Sequence, residues 1–246
     1  MSSTSLQDAA YAWLSNKLVA GDLWPGELLN IDILAEESGT SSVPMRDAVR
    51  RLAAEQAIVI EPQRGTWVRL HSVEEFAEIT RLRCHLERIA IGDGIRSMPS
   101  ERQAAVAAIF DDLIRATKTS TPDECLEINR RALFSIFVEA NLPTTLLVIE
   151  MLWRRVGPLL GYYSKSSEFS PSVERILELK DAVLSRDPQR GGDVRVEEIS
   201  AVSRAIVRQY ETLILAVGER NASRSVLLRK RTGTKRRAIV SEQANK

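Results

Sequence analysis

Leu6, Ala10, Trp13, Leu14 and Leu18 recur at three- and four-residue spacing, which predicts an amphipathic helix over residues 6–20. Gly21 stops it, and GDLWPGELL reads as a Pro-Gly turn leading into a short strand or extended arm. A short helix follows at about residues 31–38 and ends at Gly39, a residue that tolerates positive φ. The next helix starts at Ser41 or Ser42, either of which can cap it, with Pro44 in its first turn where a missing N–H costs nothing. Met45, Val49 and Leu52 form its inward stripe, while Arg46 and Arg50, four apart, share another side. Ala57–Ile60 and Thr66–Leu70 are β-prone runs joined by the tight EPQRG turn. Helix, turn, arginine-bearing helix and two-stranded ribbon, in that order, make a winged helix-turn-helix.

Beyond His71-Ser72 the character changes. From Val73 to about Gly218 the periodicity is helical, with breaks near Met98-Pro99, Thr119–Pro122, Leu142-Pro143, Ser170-Pro171 and Asp187–Gly192. Such helices can bury their stripes only against one another, so the second part is an all-helical bundle of six or seven helices. The expected fold is mainly α, with a winged helix-turn-helix in residues 1–72 and the bundle in residues 73–218. Residues 219–246 form a basic tail, weakly periodic and expected to be mobile.

Charge sharpens this division. The whole chain carries only +1, which argues against blanket attraction to nucleic acid. Residues 1–72 hold six Lys/Arg against nine Asp/Glu, yet Arg46, Arg50, Arg51, Arg64 and Arg69 all fall in the second helix and the ribbon. A focused cationic patch on an acidic body suits selective DNA contact. Residues 219–246 carry +7, so the tail could add phosphate contacts or simply be solvated. No run of about 18 apolar residues is present, and the N-terminus lacks the pattern of a secretory signal. Cys84 and Cys125 form no C-x-x-C pair and read as small hydrophobes in a reducing cytosol. The expectation is a soluble cytoplasmic protein with no membrane segment.

Arg46 and Arg50, presented by a rigid helix, can each grip guanine O6 and N7. Ser41, Ser42 and the free N–H groups of the helix start can take a phosphate. Arg64 at the ribbon tip can enter a minor groove, Gly65 lets the backbone pass close to the sugar-phosphate wall, and Thr66 completes the set of expected DNA-binding residues. Each feature alone is equally a solvated helix or a plain hairpin; together and in this order they favour DNA.

Residues 6–70 resemble the DNA-binding domain of the GntR family of bacterial transcriptional regulators. The resemblance rests on GDLWPGELLNIDILAEESGTSSVPMRDAVRRL and IEPQRGTWV, which hold the family's Pro-Gly turn, its Ser-x-x-Pro-x-Arg-x-Ala recognition helix and its Arg-Gly wing. The helical part is similar to the FadR-like branch (FCD effector domain), with EITRLRCHLERIA, Arg83 and Glu87 four apart, as the supporting phrase. The resemblance implies a homodimer on a palindromic double-stranded operator, acting as a repressor, with the bundle supplying dimer contact and effector pocket. The alternative is a DNA-binding regulator or architectural protein with no small-molecule effector.

Two departures stand out. Many relatives carry Ser-Arg where this chain has Ser41-Ser42, so one DNA-facing arginine of the family is missing. Many FadR-like bundles also hold a divalent metal with an Asp-x3-His pair and two later histidines. Here Arg130 and Phe134 occupy the Asp and His positions, the next falls near Ile176, and no histidine follows His85. No metal and no cofactor are therefore expected. The pocket either persists and binds a small organic acid through Arg83, Asn129 and Arg130, or is plugged, its arginines paired with acids such as Glu87. His71 and His85 read as structural or surface residues, and Trp153, Tyr162 and Tyr163 as core or pocket wall. No catalytic residues are assigned, because no nucleophile elbow, P-loop or metalloprotease motif is present.

Overall fold

The computed structural model describes residues 5–221. Helix α1 (Leu6–Ala20) starts at Ser5, whose hydroxyl accepts from the Asp8 N–H, and ends at Gly21 in the left-handed conformation. β1 (Leu28–Leu29) leads to α2 (Ile31–Glu37), where the Asn30 side chain accepts from the Asp32 and Ile33 N–H groups. α3 (Ser42–Ala54) is followed by β2 (Ile58–Glu61) and β3 (Gly65–Val68). The three strands form an antiparallel sheet in the order β1-β3-β2, with Val59 opposite Trp67 and Leu28 on the other side of Trp67. Leu14, Leu18, Met45, Leu52, Ile58 and Val68 close the core of this winged helix. Removing the side chain of any such leucine costs about 2–5 kcal/mol.

The bundle begins with α4 (Val73–Ser97), held at its start by a capping box between Ser72 and Glu75. α5 (Ser100–Thr119) and α6 (Pro122–Phe137) follow, then a single 3-10 turn at Val138–Ala140. α7 (Pro143–Ser164), α8 (Val173–Ser185) and α9 (Pro188–Arg208) come next, and helix resumes over residues 210–221. The fold is therefore mainly α, a winged helix-turn-helix followed by a helical bundle. Four expected breaks fall where Pro or a capping residue ends a helix. The fifth differs: the pattern places Gly191-Gly192 in a break, yet both lie inside α9. A Cβ on Gly191 would strike Ile95, and one on Gly192 the Arg88 side chain. These glycines serve close packing of α9 on α4 rather than a turn. Most of the basic tail, residues 222–246, lies outside the described residues.

The winged helix and the bundle meet along α1 and α7. A Cβ on Gly157 would overlap the Leu18 carbonyl oxygen, and one on Gly161 the Gly21 carbonyl oxygen. Backbone thus lies against backbone, as small residues allow. Trp24 stacks edge-on against Tyr162 at 5.5 Å. The Asn221 side chain accepts from the Leu28 N–H and donates to the Gly26 carbonyl, tying the last described helical stretch to β1.

Candidate functional site

Five arginines of the winged helix divide into two groups by what surrounds them. Arg51 is held by Asp8 at 2.9 Å and lies over the Tyr11 ring. Arg69 bonds Gln56 and Glu75. Arg46 and Arg50 are exposed on α3 and have no partner among the described residues. Arg64, at the hairpin tip, has an 80% exposed side chain and only a 3.8 Å approach to Glu61. Of these five, the cations left to meet a polyanion among the described residues are therefore Arg46, Arg50 and Arg64.

The remaining expected contacts also separate. Ser41 is the N-cap of α3, exposed, with no side-chain capping bond, so its hydroxyl is available. Ser42 donates to Asp32 at 2.7 Å, which fixes α3 against the start of α2. Gly65 has φ of 124°, backbone that a side chain rarely adopts. Thr66 corrects the sequence expectation: its side chain is buried, because β3 turns Thr66 and Val68 to the core. Sequence reasoning overlooked Val43, 73% exposed and one turn before Arg46 on the same face of α3. An apolar residue on an otherwise polar helix face was the available signal.

Inside the bundle lies a cavity of about 250 Å³. Arg83, Asn129 and Arg130 all line it, as do Arg175, Arg195 and Arg208. Val19 and Ala20, the last turn of α1, form part of its wall, so the cavity touches the winged helix directly. Behind three of its lining residues, Arg83, Trp153 and Arg195, Glu87 is fully buried. It accepts from Arg83 Nε at 2.7 Å, Trp153 Nε1 at 3.0 Å and Arg195 Nε at 2.8 Å. Burial alone would raise the Glu87 carboxyl, but Arg195 and Arg83 outweigh it and hold the group below the usual range. Burial likewise opposes charge on Arg195, and Glu87 with Glu198 overcomes it, pushing that pKa up.

Pairing decides what these arginines can still do. Arg130 is gripped by Glu127 on its own helix at 2.6 Å, and Arg208 lies 3.4 Å from Glu168. Asn129 and Arg175 have no side-chain partner among the described residues, and Arg175 Nε is buried without a hydrogen bond. Arg175 and Arg195 escaped sequence reasoning, although Ser170-Pro171-Ser172 announces a helix start three residues before Arg175. Tyr163 lines the cavity and Tyr162 does not. His71 is buried at the junction, His85 is exposed on α4, and Cys125 is a buried free thiol.

The metal of FadR-like relatives does not fit these residues. Arg130 stands at one ligand position, and Phe134 at another packs edge-on against Trp153 at 5.4 Å. Ile176 offers no donor, and the described residues hold no group of three His, Cys, Asp or Glu able to bind a metal ion.

Comparison with known proteins places this geometry. The model for bacterial regulatory proteins of the gntR family matches residues 6–68, and the FCD domain model matches residues 78–195. The chain is 27% identical over 179 residues to the HTH-type transcriptional regulator McbR of Escherichia coli K12, covering 72% of this chain and 81% of that protein. The HTH-type transcriptional repressor GlaR of the same organism is 30% identical over 108 residues, 44% of this chain and 48% of that protein. The solved structure of Escherichia coli McbR/YncC superposes with a TM-score of 0.78 at 26% identity, covering 85% of this chain and all of that one. A GntR regulator structure from Rhodococcus sp. RHA1 shares the fold, with a TM-score of 0.66 at 16% identity over 82% of this chain and 97% of that one.

Proposed function

Since the chain belongs to the GntR family of bacterial regulatory proteins, DNA-binding transcription regulators, here with an FCD domain behind the winged helix, we propose that it is a cytoplasmic, homodimeric repressor of transcription whose operator affinity is set by a small organic metabolite. Residues 1–72 read the DNA and residues 73–218 hold the effector and the dimer contact. The observation that carries the reading is the pair of exposed arginines on α3, Arg46 and Arg50, that have no partner among the described residues. Each makes bidentate contact with a guanine, and Val43 meets a thymine methyl on the same groove-facing side. Ser41 and Arg64 hold the sugar-phosphate backbone and the minor groove.

One head reads only a few base pairs, so a second copy on a palindromic operator is needed for useful specificity. Leu82 and Ile89, exposed and seven residues apart on α4, support that face as the meeting surface. Repression is supported by the likeness to the transcriptional repressor GlaR. Effector control is supported by the cavity itself and by its wall: Val19 and Ala20 belong to α1, so a ligand that fits one head position better than another shifts the population of heads. Mapping genomic binding sites, then measuring operator affinity by fluorescence anisotropy with and without candidate metabolites, tests the proposal. Specific palindromic sites whose affinity falls with one metabolite are expected; uniform, strongly salt-dependent binding to all DNA sinks it.

A further inference from the structure

The charge balance inside the cavity names its ligand more closely than the fold does. Five arginines line it: Arg83, Arg130, Arg175, Arg195 and Arg208. Glu127 holds Arg130, Glu168 holds Arg208, and Glu87 with Glu198 together neutralise Arg83 and Arg195. Arg175 alone has no carboxylate within ion-pair distance among the described residues, and its Nε is buried with nothing to donate to. One unit of positive charge is therefore left over, at one place. That place is the first turn of α8, where Ser172 caps the helix by accepting the Arg175 N–H and Ser170, Pro171 and Ser172 reach the cavity rim. An anion there meets a guanidinium and the positive end of a helix together.

The rest of the wall is apolar. Trp153, Leu160, Phe169 and Val202 face the same space, and Asn129 on α6 adds an amide with no side-chain partner among the described residues. The volume of about 250 Å³ lies just below the ~300 Å³ at which ordinary small-molecule pockets begin.

We propose that the cavity binds a small amphipathic monocarboxylate, its carboxylate gripped by Arg175 at the start of α8, its apolar body against Trp153 and Phe169, and no metal ion between them. The proposal rests on the effector-controlled reading above and deepens it. A dianion would leave one charge unmatched in a neutralised, largely apolar cavity, and a neutral analogue would leave Arg175 unsatisfied. Arg130, already held by Glu127, contributes shape and little charge.

Isothermal calorimetry on the full chain tests this with benzoate, phenylacetate and hexanoate, with their amides benzamide, phenylacetamide and hexanamide, and with the dianions succinate and phthalate, all in excess EDTA. The monocarboxylates are expected to bind at least about tenfold more tightly than amides or dianions, with EDTA without effect. Arg175→Gln is expected to erase the preference for acid over amide, and Arg130→Gln to keep it. Equal binding of acids and amides by the parent protein overturns the proposal without any variant having to fold. So does an unchanged preference in Arg175→Gln, a requirement for divalent metal, or failure of every acid to bind. Operator binding by ligand-free protein is measured in parallel. If it is specific while acid binding fails, the ligand assignment falls alone; if acids bind with no change in operator affinity, the control of DNA binding falls and the site stands.

Discussion

Glu55, the C-cap of α3, accepts a 2.6 Å hydrogen bond from Arg154 Nε on bundle helix α7. Its other oxygen accepts from the Tyr11 hydroxyl at 2.6 Å, and burial together with that bond pushes the Tyr11 phenol up to about 12. Trp153, the neighbour of Arg154, faces the cavity instead. One turn of α7 therefore touches both the cavity and the end of α3, the helix proposed to meet DNA. Arg154→Ala is expected to cost on the order of 1–3 kcal/mol of stability, because it leaves the half-buried Glu55 carboxylate without its cation. Ligand-free operator affinity should change little, while the change in affinity on ligand binding shrinks. Chemical denaturation and anisotropy measure the two quantities; an undiminished ligand response removes Arg154 from the coupling.

The α1–α7 contact makes a second, independent prediction. Since a Cβ on Gly161 would overlap the Gly21 carbonyl oxygen and one on Gly157 the Leu18 carbonyl oxygen, Gly161→Ala and Gly157→Ala must push α1 away from α7. Overpacking of this kind costs about 1–3 kcal/mol. Helix content should stay near that of the parent by circular dichroism, while hydrogen exchange in α1 rises. Unchanged exchange in α1 would mean that the two helices do not sit this closely in solution.

The winged helix was largely legible in the sequence because its signals are local: Gly21 and Gly39 as stops, Ser41 as cap, Pro44 in the first turn, the Arg64-Gly65 tip. Thr66 was legible too, since strand alternation puts it on the face of Val68, and its assignment to DNA overlooked that period. The cavity was legible only in outline. Arg83–Glu87 is an i, i+4 pair, but Arg195 reaches Glu87 across 108 positions and Arg154 reaches Glu55 across 99. Which arginine remains unpaired is decided by such long-range neutralisation, which no spacing rule records. The Gly191-Gly192 misreading has the same origin: in sequence a glycine pair looks the same whether it serves a turn or a tight helix crossing.

His71 gives a pH dependence. It is buried at the junction beside Arg155 and Glu75; burial, then the Arg155 charge, lowers its pKa from 6.5 to about 4. A pKa lowered on folding means that the unfolded chain takes up the proton first. Neutral His71 therefore contributes stability that is fully present above pH 6.5 and is lost as the pH falls toward about 4, a difference of about 3 kcal/mol at most. His71→Leu is expected to flatten the difference in melting temperature across that window relative to the parent. Parallel pH profiles for the two proteins would exclude His71 as the source.

Leu82 and Ile89 test the dimer. Both are exposed, Leu82 at 44% and Ile89 at 49%, on one face of α4, while Phe76, Ile79 and Ile91 of the same helix are buried in the core. Leu82→Glu and Ile89→Glu place carboxylates where two copies would meet and leave the bundle core untouched. Sedimentation should shift from dimer to monomer, and affinity for a full palindrome should fall toward that for a half-site. A dimer that persists in the double variant moves the interface elsewhere.

The recognition arginines can be separated by their partners. Arg46 and Arg50 have no partner among the described residues, so Arg46→Ala and Arg50→Ala disturb no described contact within the fold; each is expected to cost about 1–3 kcal/mol of operator affinity and to relax specificity at one base pair. Arg51 lies next to Arg50 but is bonded to Asp8 and stacked on Tyr11. Arg51→Ala should lower the melting temperature slightly, since the ion pair is largely exposed, and leave base preference intact. Arg64→Ala should weaken binding mainly at sites with a narrow minor groove. Binding-site selection with each variant distinguishes the outcomes. If Arg46→Ala and Arg50→Ala select the same sequences as the parent with equal affinity, α3 is not the reading helix; if Arg51→Ala alone alters the selected bases, the face assigned to the groove is the wrong one.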